Sequence, residues 1–123
     1  MDRHLVGRSI LIVEDEPLIA LDIRRAFEAA GARVVVMRSL QSALAAVEAP
    51  DLSAAILDHA LGKDDSSQLC ERLEERDIPF VIHSGYSNLE GACSEGVAID
   101  KPSHPQVLVT TIVGLLRCRP IAN

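Results

Sequence analysis

The sequence predicts a doubly wound α/β domain, a buried parallel sheet with helices on both faces. Three observations predict it. Short apolar, β-branched runs alternate with longer helical patterns along the 123 residues. The runs are continuously hydrophobic, as strands covered on both faces are. The core chemistry is aliphatic, since 48% of the residues are apolar but only 2% are aromatic, which suits helices layered on a sheet better than a β-sandwich. At roughly 100–200 residues per domain the chain holds one folded unit, and it buries about two-thirds of its unfolded surface. We expect residues 1–123 to form a single domain with no output domain attached.

The strands are expected at Ser9–Val13, Arg33–Met37, Ala54–Leu57, Phe80–His83 and Val97–Ile99. Each is too short for a helix. Between the first two, Pro17–Ala30 starts with proline in the first turn and stops at Gly31, the usual helix start and stop chemistry. Ser39 can cap a second helix through Glu48, with Leu40, Ala43, Leu44 and Val47 on one face and Pro50 beyond its end. After the polar loop Gly62–Ser67, Asp65 and Gln68 at capping-box-like spacing open a third helix, with Leu69 and Leu73 inward, that ends before Pro79. The stretch Tyr86–Gly96 is weak: Gly91 and Gly96 interrupt it, and a short or frayed fourth helix is expected. A last helix runs from about Pro105 to Arg117, with Leu108, Val109, Ile112, Leu115 and Leu116 facing the sheet. Its apolar margins, Val107 and Val113, suit either a dimer contact or packing against the first helix.

Charge and cysteines exclude several functions. With 18 acidic residues against 12 Lys+Arg, a net charge of −6 and no basic stripe, the chain is a poor binder of a phosphate backbone, so no direct nucleic-acid contact is expected. Cys70, Cys93 and Cys118 are odd in number, widely spaced and free of a Cys-x-x-Cys pair. They argue against a disulfide framework, a zinc site or a thioredoxin motif, and read instead as small packing residues in a reducing cytoplasm. No stretch of about 18 apolar residues occurs, so neither a signal peptide nor membrane insertion is expected.

In open α/β sheets ligands bind beyond the carboxyl ends of the strands, where the strand order reverses. There the sequence places Glu14 and Asp15 after strand one, Asp58 after strand three, Ser84 after strand four, and Asp100, Lys101 and Pro102 after strand five. Converging carboxylates repel one another and call for a compact cation. Oxygen-only ligation suits Mg²⁺, which takes one or two carboxylates plus a phosphoryl oxygen. Asp58 can then attack phosphorus to give an acyl phosphate, with the metal and Lys101 supplying positive charge and Ser84 a hydroxyl.

This constellation resembles, over the whole chain, the receiver domain of two-component response regulators, of the stand-alone type. The resemblance implies a flavodoxin-like sheet in the order 2-1-3-4-5. It implies that Asp58 is phosphorylated by a histidine kinase or histidine phosphotransfer protein. Mg²⁺ would sit directly on Asp15, Asp58 and the backbone carbonyl of Ala60, with Glu14 holding it through water. The Lys101-Pro102 peptide is commonly cis in that family, and X–Pro is the only bond for which cis is cheap. Leu18 and Leu21, on the first-helix face that also carries Arg24, Arg25 and Glu28, resemble the surface receivers present to a kinase or phosphotransfer bundle.

Each residue has a bland reading beside this one. Acids at a helix N-terminus favour the helix dipole, Asp58 can cap a turn, Ser84 can satisfy local backbone, and single exposed leucines are common. Only the constellation lifts them above it. His59 and His83 flank the site, but hard-oxygen sites do not need imidazole, and His83, next to Ser84, is expected on the other side of its strand. His4 and His104 read as surface residues.

Two features depart from the family. Ala98 stands where receivers usually carry an aromatic residue three positions before the Lys, and the Ser84–Lys101 segment is short. Tyr86 offers a substitute, since Pro79-Phe80-Val81-Ile82-His83-Ser84-Gly85-Tyr86 is similar to a stand-alone subgroup ending strand four in Phe-x-x-[Ser/Thr]-Gly-Tyr. The expected function is a phosphorylatable switch, cytoplasmic, monomeric or weakly dimeric, catalysing only its own phosphoryl transfer and dephosphorylation. The alternative is a receiver-like interaction module that no longer switches. An aspartyl-phosphate phosphatase lacks its second acid, because Ala60 stands there, and a nucleotide binder would need glycines after strand one.

Overall fold

The computed structural model describes residues 4–58, 67–84, 96–100 and 104–117. The described elements run β1 Ser9–Val13, α1 Pro17–Ala29, β2 Arg33–Met37, α2 Leu40–Ala46, β3 Leu52–Asp58, α3 Ser67–Glu75, β4 Phe80–Ser84, β5 Val97–Asp100 and α4 Pro105–Arg117. All strand pairings are parallel, and the sheet order is β2-β1-β3-β4-β5.

Alternate strand residues feed two cores, as the period of two requires. On one face Leu11, Val13, Ala55, Leu57, Phe80 and Ile82 pack with Leu69, Cys70 and Leu73 of α3 and Ala43 of α2. On the other, Ile10, Ile12, Ala54, Ile56 and Val81 pack with Ile23 and Phe27 of α1 and Leu108, Val109 and Ile112 of α4. Of the two apolar margins of α4, Val113 joins the same cluster as Ala26 of α1, whereas Val107 is exposed. No helix among the described residues is long and apolar enough to cross a membrane.

The helix ends follow from local chemistry. Gly31 closes α1 with φ +97°, and a Cβ there would lie 2.5 Å from the Val6 Cγ2 methyl, so only glycine fits. Ser39 caps α2 as expected, its Oγ accepting from the Ser42 amide at 3.1 Å. The helix stops at Ala46, however, short of the expected Glu48. The amides of Glu48 and Ala49 turn to carbonyls three residues back, and the Arg76 guanidinium donates to the carbonyls of Val47 and Ala49. β3 begins at Leu52 rather than Ala54, because Leu52 already pairs with Ser9 ahead of a register shift, where Ser53 Oγ accepts from the Ser9 amide at 3.2 Å.

Leu69 and Leu73 face inward from α3 as expected. Asp65, expected to open that helix, lies outside the described residues, as do residues 85–95, which hold all of the weak segment but Gly96. Cys70 is fully buried, as a packing residue should be. It is also disulfide-bonded, which corrects the reading of this cysteine as a plain packing residue; Cys93 and Cys118 lie outside the described residues. Sequence spacing missed it because a disulfide depends on tertiary proximity.

Candidate functional site

The order β2-β1-β3 puts the switch point of the sheet between β1 and β3, and both strands end there in carboxylates. The Glu14 amide donates to the Met37 carbonyl at 3.0 Å, which carries the β1–β2 pairing one residue past β1. Its carboxylate is 2% exposed and accepts from the Glu16 amide at 3.1 Å. That bond satisfies one backbone donor at the entry to α1. Asp15 is exposed, while Asp58, the last residue of β3, is 5% exposed.

One carboxylate oxygen each from Glu14, Asp15 and Asp58 lies within 4.8 Å of the others. Three like charges at that spacing, two of them withdrawn from water, repel strongly unless a cation or protons intervene. The donor set is all oxygen, with one exposed member to admit an ion, and it fits a small hard divalent cation.

The other strand ends arrive at the same edge. Ser84 closes β4 and is the Cα partner of Asp100 at the end of β5. Lys101, Pro102, Ala60, Tyr86 and His59 lie outside the described residues. Ala98, on β5, is exposed and pairs with Ile82. Leu18 and Leu21 are exposed on α1, Leu18 to 75%. A hollow of about 210 Å³ lined by Glu14, Pro17, Leu21, Arg24 and Arg38, among others, runs beside them at the acidic end.

The strand register adds a neighbour for His83 that the sequence does not show. His83 is the Cα partner of Asp58 in the β3–β4 pairing and is 5% exposed. Val81, two residues earlier, faces the α1/α4 core together with Ala54 and Ile56. Period-two alternation therefore puts His83 and Asp58 on one face. Finding this needs the register between two strands, which the sequence does not print.

This sheet order with carboxylates at its switch point defines a receiver-type α/β domain. The chain belongs to the response regulator receiver domain family, whose profile matches residues 10–113. It is 32% identical over 112 residues to the two-component response regulator PprB of Pseudomonas aeruginosa, a match covering 82% of this chain and 41% of that protein. The matched part is thus about two-fifths of that relative's length. SdrG from Sphingomonas melonis Fr1, solved in solution, is 35% identical, with 92% of this chain and 98% of that chain covered and a TM-score of 0.75. The receiver domain of the sensor histidine kinase PA1611 from P. aeruginosa PAO1 matches at 20% identity, 91% and 99% coverage and a TM-score of 0.76. That likeness shows the fold; that domain was crystallised with a magnesium ion coordinated in its active-site cleft. Receiver domains are signalling modules of two-component systems that interact with histidine kinases or phosphotransfer proteins.

Proposed function

We propose that the chain is a phosphorylatable signalling switch that accepts a phosphoryl group on Asp58 from a histidine kinase or histidine phosphotransfer protein. The observation that carries this reading is the carboxylate cluster of Glu14, Asp15 and Asp58, gathered within 4.8 Å at the switch point of the sheet. An Asp58 carboxylate oxygen attacks the phosphorus of the donor's phosphohistidine. The P–N bond breaks, its electron pair leaves on the imidazole nitrogen, and Asp58 becomes an acyl phosphate.

Asp15, Asp58 and the Ala60 carbonyl would hold Mg²⁺, with Glu14 reaching it through water, an assignment supported by the all-oxygen donor set. Bound there, the ion would supply positive charge to the transferring phosphoryl oxygens. Lys101 adds positive charge, Ser84 donates its hydroxyl to a phosphoryl oxygen, and Pro102 fixes the chain after Lys101; these roles come from the receiver motif. Glu14 is held by its own hydrogen bond, so the acid that moves to meet an ion is the exposed Asp15. The exposed Leu18 and Leu21, with the hollow beside them, form the docking surface for the donor.

Output leaves by protein–protein contact or phosphoryl relay in the cytoplasm, from a monomer or weak dimer, with Tyr86 in place of the missing strand-five aromatic. The exposed Ala98 favours a second reading, a receiver that binds partners without switching. Incubation with Mg²⁺ and a small acyl phosphate separates the two. A mass gain of one phosphoryl group, lost in Asp58→Asn, is the result expected of the switch. No gain from either a small donor or a phosphorylated kinase, in folded protein, leaves the interaction module.

A further inference from the structure

We propose that His83 is a positioning residue for the chemistry at Asp58, an inference that rests on the phosphoacceptor reading above. The two residues are Cα partners on neighbouring parallel strands and share the α1/α4 face of the sheet. Neighbouring strands lie about 4.8 Å apart, so side chains on one face at one level are in reach of each other. Both residues are 5% exposed, and neither side chain is isolated.

The surroundings narrow the partner. Across β5, His83 pairs with Ile99, and Val81 precedes it on the same face; Leu108 and Ile112 of α4 belong to that aliphatic layer. An imidazole set into such a layer costs free energy unless a hydrogen bond compensates, and an aliphatic side chain would stabilise the fold better there. The polar side chain at its own level on the adjoining strand is the Asp58 carboxylate. The ring nitrogen that serves is Nε2 rather than the buried Nδ1. Its N–H, directed at one Asp58 oxygen, holds the carboxylate in one rotamer and leaves the other oxygen to attack phosphorus. In the acyl phosphate the first oxygen is a carbonyl and still accepts. Holding a nucleophile in its reactive orientation is a recognised source of rate.

The test compares wild type, His83→Leu and His83→Gln, each checked for a cooperative melt. With saturating Mg²⁺ and a small acyl phosphate, His83→Leu is expected to form the Asp58 acyl phosphate about tenfold more slowly, the scale of one lost hydrogen bond to a charged group. His83→Gln, whose side-chain N–H can donate, is expected to recover most of the rate. In metal-free protein the Asp58 carboxyl carbon resonance is expected to move in His83→Leu and return toward wild type in His83→Gln, an effect that packing alone does not produce. A wild-type rate and resonance in His83→Leu overturn the proposal. So does equal impairment of the leucine and glutamine variants. If wild type itself takes up no phosphoryl group, the phosphoacceptor reading fails first. Should His83→Leu not fold, the comparison of His83→Gln with His83→Asn, which carries the amide one methylene shorter, decides by the same readouts: glutamine near wild type and asparagine impaired supports the role, and equal behaviour overturns it.

Discussion

The Glu14 carboxylate accepts a hydrogen bond from the Glu16 amide at 3.1 Å while lying within 4.8 Å of carboxylate oxygens of Asp15 and Asp58. One side chain thus supports the entry to α1 and adds to the repulsion of the cluster. Glu14→Gln keeps an acceptor for the amide and removes a charge. We expect it to melt higher than wild type without metal and to gain less when Mg²⁺ is added. Stabilisation by a ligand grows with its concentration over Kd, so melting curves across a Mg²⁺ series read both effects. A variant that melts lower without metal and gains as much as wild type would contradict the expectation.

Gly96 enters β5 against the Phe80 ring, and a Cβ at that glycine would sit 2.4 Å from Phe80 Cε2. Phe80 is buried and has little room to retreat. Gly96→Ala is therefore expected to lose about 1–3 kcal/mol of stability, the usual scale of overpacking. Chemical denaturation measures it. Phe80→Leu in the same chain should lessen the penalty, since it removes the clashing ring.

Asp77 ends α3 in the left-handed region, φ +57°, with the Ile78 amide bonded to the Leu73 carbonyl at 2.9 Å. This is the Schellman arrangement, in which glycine is the residue without steric cost. Asp77→Gly is expected to stabilise the protein by up to about 1 kcal/mol, and Asp77→Val to destabilise it by more than that. Urea midpoints compare the three.

Arg72 holds Glu48 through Nε at 2.6 Å and Nη2 at 2.7 Å, which ties α3 to the end of α2. That hydrogen bonding lowers the Glu48 carboxyl below its ordinary value. A lowered folded-state pKa contributes stability that is fully present above the unfolded value and disappears as pH falls through the folded one. Glu48→Gln should thus lower the melting temperature slightly near neutral pH and leave it unchanged in acid below the carboxylate range. Both groups are solvated, so the effect is small and shrinks in high salt. A loss of equal size at every pH would show that the ion pair is not its cause.

Much of this protein was legible in the sequence. The β1 and β2 boundaries and the start of α1 at Pro17 are stated by local chemistry, because a continuous apolar run, a first-turn proline and a stop at Gly31 each act within a few residues. The acids were legible too, since Glu14, Asp15 and Asp58 stand directly beyond apolar strands and the topology rule says which ends converge. The early end of α2 was not. It depends on Arg76, donating from 27 residues away to the Ala49 carbonyl.

Local sequence was enough for the order of the described elements, the aliphatic two-faced core and the places of Glu14, Asp15 and Asp58 at the carboxyl edge. Tertiary structure alone decided the approach of the three carboxylates, the disulfide at Cys70, the Arg72–Glu48 clasp and the placing of His83 beside Asp58. The physical reason is range. Propensity, capping and hydrophobic period act between residues a few positions apart, whereas strand register and helix docking join segments tens of residues apart, and one residue's slip in register moves every side chain of a strand to the opposite face.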